Sequence, residues 1–242
     1  MHPDNPLGRK VIVQDVIPHM GRKIMHNMSV TLVDHMGSDL SVVNTARVSF
    51  SKTSEWETIP EAGPTKGLLR YEDERLIKYL AKHDHWSPFG HASLQFHIKA
   101  PVFVARQLVK HQVGLVWNEV SRRYVDYEPE FYEPVEWRLA AENKKQGSSD
   151  ETIPYDISVF HEDCKFIYND MLKDGIAPEM ARMVLPQSMM TEWYWSGTLY
   201  AFARVCNLRC KPDAQQETRT IANKIDLYMT KLFPASWGAL ID

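Results

Sequence analysis

The chain has 242 residues, of which 44% are hydrophobic and 24% charged, and its formal net charge is −3. This length can bury a substantial core, and the composition is that of a globular protein. The charge gives no overall basic field for nucleic acid, so an anion site would need a local set of arginines. No apolar run approaches the length of a membrane span, and the first residues lack a signal-peptide core. We therefore expect a cytoplasmic protein without nucleic-acid or membrane partners.

The cysteine pattern excludes a disulfide framework. Cys164, Cys206 and Cys210 are an odd number, and no two of them form a CxxC pair. Cys206 and Cys210 are four residues apart, which suits one face of a helix better than a zinc site. We expect all three to be reduced.

The predicted elements begin after residue 27. Residues 1–27 carry proline, glycine, histidine and charges with little periodicity, which predicts an N-terminal extension. Alternation over 29–36 predicts a strand. Ser38 or Asp39 can cap a helix that follows and continues to Phe50.

The middle of the chain alternates between helical and strand patterns. A loop is predicted at 51–69, a helix over 71–82 and a half-buried strand over 91–100. Another helical pattern follows Pro101, and its period breaks at Gly114. In that pattern residues 107 and 111 are four apart and would share a face.

The C-terminal half is mostly helical in pattern. Residues 126–153 are acidic and turn-rich, with a loop predicted to be mobile at 144–151. Further elements are predicted as helices at 155–173, 178–186, 199–209 and 213–233 and a strand at 191–198. The whole predicts an α+β protein in which helices flank an antiparallel sheet, with residues 28–242 as a single domain.

A dense polar block follows the apolar run at 113–117. Five polar or charged residues lie within six positions and are flanked by apolar ones: Asn118, Glu119, Ser121, Arg122 and Arg123. Two interpretations stay open, a surface loop whose charges pair with one another and a binding or catalytic site.

Three histidines, His83, His85 and His91, flank the turn HDHWSPFGH. The sequence has no HExxH motif and supplies only one nearby carboxylate, so no metal site is expected. The alternatives are imidazoles bonded within the turn, or an acid/base or stacking role for His85 at the mouth of a pocket.

Arginines at three separate places form a candidate anion site. Arg123, Arg182 and Arg209 have the chemistry to hold one phosphate or carboxylate. Each also has a structural alternative. Arg182 can pair with Glu179 or lie along apolar surface, and Arg209 suits the end of a helix. The aromatic run at 193–195 is more typical of a core or a subunit interface than of a stacking platform.

These residues and motifs resemble the flavin-dependent thymidylate synthases over about residues 28–232. That family carries Arg-His-Arg, seven residues and then Ser, whereas this chain has Lys110-His111-Gln112, eight residues and then Ser121. Asn118, Glu119, Arg123 and Tyr124 also agree. Further blocks agree in order: ARVSF (46–50), HWSPFGH (85–91), KAPVFVARQ (99–107), ARMVLP (181–186), TEWYW (191–195), LR (208–209) and AQQE (214–217).

The resemblance implies an α+β homotetramer with active sites shared between subunits. It implies a catalytic domain at 28–242 that binds FAD, reduces it with NADPH and transfers one carbon from methylenetetrahydrofolate to dUMP, giving dTMP. Such a reaction needs no cysteine nucleophile. Two alternatives remain: a related flavin enzyme that hydroxymethylates dUMP, and a nucleotide-binding homologue without catalysis.

The resemblance also implies roles for individual residues. The catalytic positions are His85 over the flavin, Ser121 positioning the uracil and Arg209 holding it. The dUMP positions are Gln107, Glu119, Ser121, Arg122, Arg123, Arg182 and Arg209, with Arg122 contributing its backbone amide because a glycine is usual there. The flavin positions are Ser49, Ser87, Lys110, His111, Gln112, Asn118 and Glu119.

Most departures from the family pattern fall on the flavin side. Lys110 and Gln112 replace two arginines, and lysine keeps the charge but loses the guanidinium fork. Other positions differ as well: Gly90 for glutamate, Thr198 and Arg204 for asparagines, Tyr200 for arginine and Asp213 for histidine. The resemblance therefore supports nucleotide binding more directly than a particular mode of FAD binding.

Overall fold

The computed structural model describes residues 28–58, 67–142 and 147–241. The strands are β1 Ser29–Met36, β2 Glu57–Thr58, β3 Gly67–Leu68, β4 Ser93–Pro101, β5 Leu115–Glu119, β6 Trp137–Arg138, β7 Thr152–Ile153 and β8 Met190–Thr198. The α-helices are α1 Asp39–Arg47, α2 Tyr71–Lys82, α3 Val102–Leu108, α4 Ser158–Lys173, α5 Pro178–Ala181, α6 Leu199–Arg209, α7 Gln216–Leu232 and α8 Pro234–Leu240. The predicted extension at 1–27 lies outside the described residues. So do residues 59–66 of the loop predicted at 51–69 and residues 144–146 of the loop predicted at 144–151.

A four-stranded antiparallel sheet in the order β1-β4-β8-β5 forms the framework. Alternate residues of β4, namely Leu94, Phe96 and Ile98, are buried, because successive side chains of a strand point to opposite faces. Phe96 and Trp195 each meet Phe202 of α6 edge-on, with ring centroids 5.3 Å apart. The sheet therefore carries its core on the face covered by α6 and α7, which confirms the predicted α+β class.

The two ends of the described chain pack together. The hydroxyl of Tyr228 on α7 donates to the carbonyl of Val30 on β1 at 3.3 Å. Asp39 accepts hydrogen bonds from the backbone N–H groups of Ala235 and Ser236, at 3.0 and 2.8 Å, and so caps α8. Ser38 occupies the N-cap position of α1. Of the two predicted caps of α1, Ser38 therefore caps that helix, and Asp39 instead caps α8, almost 200 residues away in the chain.

The edge strand β5 was not predicted as a strand. Gly114, with φ of 75°, turns the chain into it, and β5 then pairs with β8 so that Leu115 lies opposite Gly197. A Cβ on Gly197 would lie 2.4 Å from a methyl carbon of Leu115, so this close approach requires glycine. The strand is only five residues long, and it overlaps the apolar run at 113–117, whose pattern does not alternate.

Other element boundaries differ from the predictions. The helix after Ser38 becomes a 3₁₀ turn at 48–50, and α3 ends at Leu108, so Gln107 and His111 do not lie on one helix. The predicted loop at 51–69 contains the short strands β2 and β3, and 126–153 contains β6, which pairs with β7. The long C-terminal helix ends at Leu232 because Pro234 starts a new helix.

Arg47, in the first block of the family resemblance, links two helices. Its guanidinium bonds the carboxylate of Asp73 on α2, with Nε 3.0 Å from Oδ1. Asp73 is fully buried, and its other oxygen accepts from the hydroxyl of Ser54 at 2.5 Å. A buried carboxylate needs such partners, so this arginine fixes α1 against α2. Among the helices that the structure describes, none has both the length and the apolar character needed to cross a membrane.

Candidate functional site

The predicted polar block lies at the edge of the sheet. Asn118 and Glu119 end β5, and the chain then turns through Ser121 to Arg123, with the N–H of Tyr124 donating to the carbonyl of Ser121 at 2.9 Å. Glu119 is exposed, yet both of its oxygens are bonded. Oε1 accepts from the hydroxyl of Thr191 at 2.8 Å, and Oε2 from the Trp117 indole at 3.2 Å.

The side chain of Arg122 is turned inward. Only 6% of this residue is exposed, and its guanidinium lies over the rings of Tyr127 and Tyr168, at 4.3 and 5.8 Å from their centroids. One guanidinium nitrogen donates to the carbonyl of Tyr127. This arrangement attaches the turn to α4. It leaves the backbone of the turn, rather than the Arg122 side chain, available to a ligand.

Arg209, at the end of α6, lies beside two other predicted site residues. Its Nε donates to Nε2 of His111 at 3.1 Å, and another nitrogen donates to the Gln107 carbonyl at 3.4 Å. Burial lowers the pKa of His111, and the charges of Arg209 and Arg204 lower it further. The imidazole is therefore neutral near pH 7, and Nε2 accepts the hydrogen bond. Within the described residues, Arg209 has no carboxylate partner.

Arg123 and Arg182 meet at α5 instead. The Nε of Arg123 lies 4.0 Å from a carboxylate oxygen of Glu179, and the Nε of Arg182 donates to the Glu179 carbonyl at 3.2 Å. The predicted link between Arg182 and Glu179 therefore exists, but it uses the backbone. Thus two of the three arginines share a neighbour, and Arg209 has a separate set of contacts.

The remaining predicted positions are solvent-facing. Six of them are exposed at the ends of elements or in turns, namely Ser49, His85, Ser87, Lys110, Gln112 and Asn118. His85 faces the rings of Tyr79 and His83, with centroids 5.9 and 6.4 Å away. The 3₁₀ helix at 87–91 packs against α1 and α6. In the part of the chain that the structure describes, no group of three or more His, Cys, Asp or Glu side chains is arranged to hold a metal ion.

Sequence reasoning gave no role to the residues that hold Gln107. Its amide nitrogen donates to Gln215 at 2.5 Å, and its amide oxygen accepts from Thr218 at 3.1 Å. Gln215 also bonds the buried carboxylate of Glu217. Gln215 and Glu217 belong to the AQQE block at 214–217, and the agreement of that block with the family was the one indication in the sequence that these residues support the site.

A cavity of about 410 Å³ lies between α2, α6 and α8. It is lined by three cations, Lys78, Lys82 and Arg204, and by one carboxylate, Asp84. The charge of Arg204 also lowers the pKa of His111, the residue that contacts Arg209. A second cavity of about 400 Å³ is lined by four glutamates with His161 and Lys165, and its charge opposes an anion. The first cavity therefore fits a phosphate-bearing group, and the second does not.

The three cysteines are free. Cys164 and Cys206 are buried, and burial and the adjacent Asp163 raise the pKa of the Cys164 thiol. A raised pKa keeps a thiol protonated and a poor nucleophile. Of the aromatic run at 193–195, Trp193 and Trp195 are buried in the core, whereas Tyr194 is 49% exposed.

Comparison with known proteins identifies the family of this chain. The family model described as "Thymidylate synthase complementing protein" matches residues 31–235. The flavin-dependent thymidylate synthase of Thermus thermophilus is 38% identical over 214 residues, which are 87% of this chain and 74% of that protein. The enzyme of that name from Kosmotoga olearia is 35% identical over 227 residues, covering 91% of this chain and 93% of its own.

A solved structure shares the fold. It is that of a UMP/dUMP methylase, PolB from Streptomyces cacaoi, bound with 5-Br dUMP. Its TM-score is 0.70 at 30% sequence identity, and the match covers 88% of this chain and 94% of that one. The resemblance found in the sequence is confirmed, and this chain belongs to the flavin-dependent thymidylate synthase family of methyltransferases.

Proposed function

We propose that this chain converts dUMP to dTMP, with methylenetetrahydrofolate as one-carbon donor, NADPH as reductant and FAD as the flavin. The observation that carries the proposal is the guanidinium of Arg209, which is held by a neutral imidazole and a backbone carbonyl and has no carboxylate partner among the described residues. A cation fixed in this way is available to an anionic ligand. The names of the relatives and of the methylase with bound 5-Br dUMP support that choice of ligand.

The proposed roles follow from charge and position. Arg209 faces the uracil and stabilises the negative charge that develops there, an effect that is largest where water is excluded. Ser121, whose Oγ accepts from the Arg123 N–H at 3.3 Å, orients the ring without forming a covalent bond. Arg123 and Arg182 bind the phosphate, together with backbone groups of the turn at 121–123. FAD supplies the hydride when it is bound.

The flavin is proposed to contact Ser49, Ser87, Lys110, His111, Gln112, Asn118 and Glu119, with His85 over its ring. The cationic cavity supports a dinucleotide, because three positive charges suit a diphosphate. Arg204 and Tyr200, which replace residues usual in the family, both line that cavity. We therefore infer that Lys78, Lys82 and Arg204 contact the phosphates of FAD in this chain.

We also propose one catalytic domain at 28–242 that assembles as a homotetramer with shared sites. Two observations support the assembly. Arg123 and Arg182 both contact Glu179, whereas Arg209 contacts His111 and Gln107, so a second copy would complete the set. In addition, α4 exposes Val159 and Phe166, at 72% and 68%, on one face because they are seven residues apart. Light scattering at micromolar concentration tests the mass, and a stable monomer would reject shared sites.

The reaction is tested by incubating the purified protein with FAD, dUMP, methylenetetrahydrofolate and NADPH and measuring product mass. We expect dTMP. A product heavier by one oxygen atom would identify the hydroxymethylating alternative. A protein that retains no FAD on reconstitution would favour the homologue without catalysis. Omission of NADPH, with dithionite in its place, separates the choice of reductant from the methyl transfer.

A further inference from the structure

A chain of side-chain hydrogen bonds runs inward from Gln107, a proposed substrate ligand. The Gln107 amide nitrogen donates to the amide oxygen of Gln215 at 2.5 Å, and the Gln215 nitrogen donates to Glu217 Oε2 at 3.0 Å. The Gln107 oxygen accepts from the hydroxyl of Thr218 at 3.1 Å. Both amides are thus bonded through nitrogen and oxygen alike.

The inner end of this chain is a buried ion pair. Glu217 is 3% exposed, and one guanidinium nitrogen of Arg138 lies 2.8 and 2.9 Å from its two oxygens. The hydroxyl of Tyr132 donates to Oε1 at 3.3 Å. Burial raises the pKa of Tyr132, and the charge of Glu217 raises it further, so the phenol stays a donor. Glu217 is therefore surrounded by donors.

The direction of every bond in the chain follows from that carboxylate. A carboxylate only accepts hydrogen bonds, so Gln215 must turn its NH₂ group toward Glu217. The Gln215 oxygen then faces Gln107, and Gln107 must present its own NH₂ group to that oxygen. Thr218 does not decide the direction, because a hydroxyl both donates and accepts. The orientation of the Gln107 amide is thus set by a residue two steps away.

We propose that Glu217 and Gln215 are positioning residues that keep the donor end of Gln107 toward the anionic nucleotide. This inference rests on the proposed function. Gln107 uses one of its two amide hydrogens on Gln215, which leaves the other for a ligand, and the backbone carbonyl of Gln107 accepts from Arg209 at 3.4 Å. With the amide reversed, its oxygen would take the place of that donor and repel an anion.

The direct test is Glu217→Gln, which keeps the shape but offers both a donor and an acceptor. The direction of the chain is then no longer fixed. We expect the Kd for dUMP, measured by calorimetry on FAD-loaded protein, to rise about tenfold, as for the loss of a hydrogen bond to a charged group. We expect KM to rise with it, while kcat at saturating dUMP changes less than about twofold. An unchanged Kd in a folded variant overturns the proposal.

Tyr132→Phe is the matched control. It removes a donor from the same buried carboxylate but leaves Gln215 and Oε2 in place. We expect a lower Tm and an unchanged Kd. A rise in Kd equal to that of Glu217→Gln would show that the role of Glu217 is only structural.

Gln215→Met tests the same positioning role if Glu217→Gln does not fold. It interrupts the chain while keeping the buried ion pair, and it should raise the Kd for dUMP about tenfold. Wild-type affinity in this variant also overturns the proposal. If wild-type protein binds no dUMP, the proposed function fails by itself. The NMR signals of the Gln107 side-chain amide in Glu217→Gln then decide, because Glu217 does not touch Gln107: a shift supports the directional chain, and unchanged signals overturn it.

Discussion

The Nε of Arg209 donates to Nε2 of His111 at 3.1 Å, so an imidazole faces this guanidinium, and within residues 28–58, 67–142 and 147–241 no carboxylate pairs with it. The pair joins the end of α6 to the turn after α3. Because the imidazole is neutral, it orients the arginine without cancelling its charge. That property distinguishes Arg209 from Arg47 and Arg138, which are paired with the buried carboxylates Asp73 and Glu217.

We predict that Arg209→Ala reduces turnover of dUMP about a hundredfold or more, as expected for loss of a fixed charge-stabilising group. The fold should persist, because Arg209 is partly exposed and bonds an imidazole and a backbone carbonyl. The measurement is steady-state kinetics together with the far-UV circular dichroism spectrum. Arg106→Ala is the control, since Arg106 is an exposed arginine on α3. Wild-type turnover in Arg209→Ala would remove this residue from the site.

The lowered pKa of His111 predicts a pH-dependent stability. As the pH falls below about 6.5, the imidazole of the unfolded chain takes up a proton before that of the folded protein. The contribution of neutral His111 is therefore present above this pH and is lost as the pH falls toward the lowered folded pKa. His111→Gln should weaken the decrease in Tm between pH 7.5 and 5.5. Identical Tm profiles for variant and wild type would contradict the assignment.

The cavity lined by Lys78, Lys82 and Arg204 predicts that the protein binds a flavin with phosphate groups more tightly than one without them. Arg204→Gln should weaken FAD binding about tenfold, measured by quenching of flavin fluorescence, and should leave riboflavin binding unchanged because riboflavin has no phosphate. Lys173→Gln is the control, since Lys173 lies at the end of α4 and not on the cavity. Equal losses for FAD and riboflavin would place Arg204 against the ring system instead.

The inward-facing side chain of Arg122 predicts a structural effect. Arg122→Ala removes a guanidinium that packs on Tyr127 and Tyr168, and we expect the free energy of unfolding to fall by about 2 kcal/mol. Urea denaturation measures this. Arg123→Ala, next in the chain but exposed, should change the unfolding free energy by less than about 0.5 kcal/mol. Equal effects of the two variants would show that the tyrosine contacts add nothing.

Elements with a clear apolar period were predicted close to their observed bounds. The helix at 71–82 and the strand at 191–198 are examples, because each has one face that must be buried and therefore a readable pattern. The edge strand at 115–119 had no such pattern. Its place depends on pairing with β8 across Gly197, a contact about 80 residues away in the chain.

The sequence alone determined the α+β class, the family resemblance and the candidate site residues, because hydrophobic period and ordered motifs are local properties of the chain. Only the tertiary structure decided which charges are neutralised. Arg47 and Arg138 have buried carboxylate partners, Arg122 packs on aromatic rings, and Arg209 pairs with an imidazole and with no carboxylate in the part of the chain that the structure describes. These side chains carry the same guanidinium group. What distinguishes them is the partner that folding brings from a distant part of the chain, since electrostatic energy depends on distance in space and on burial.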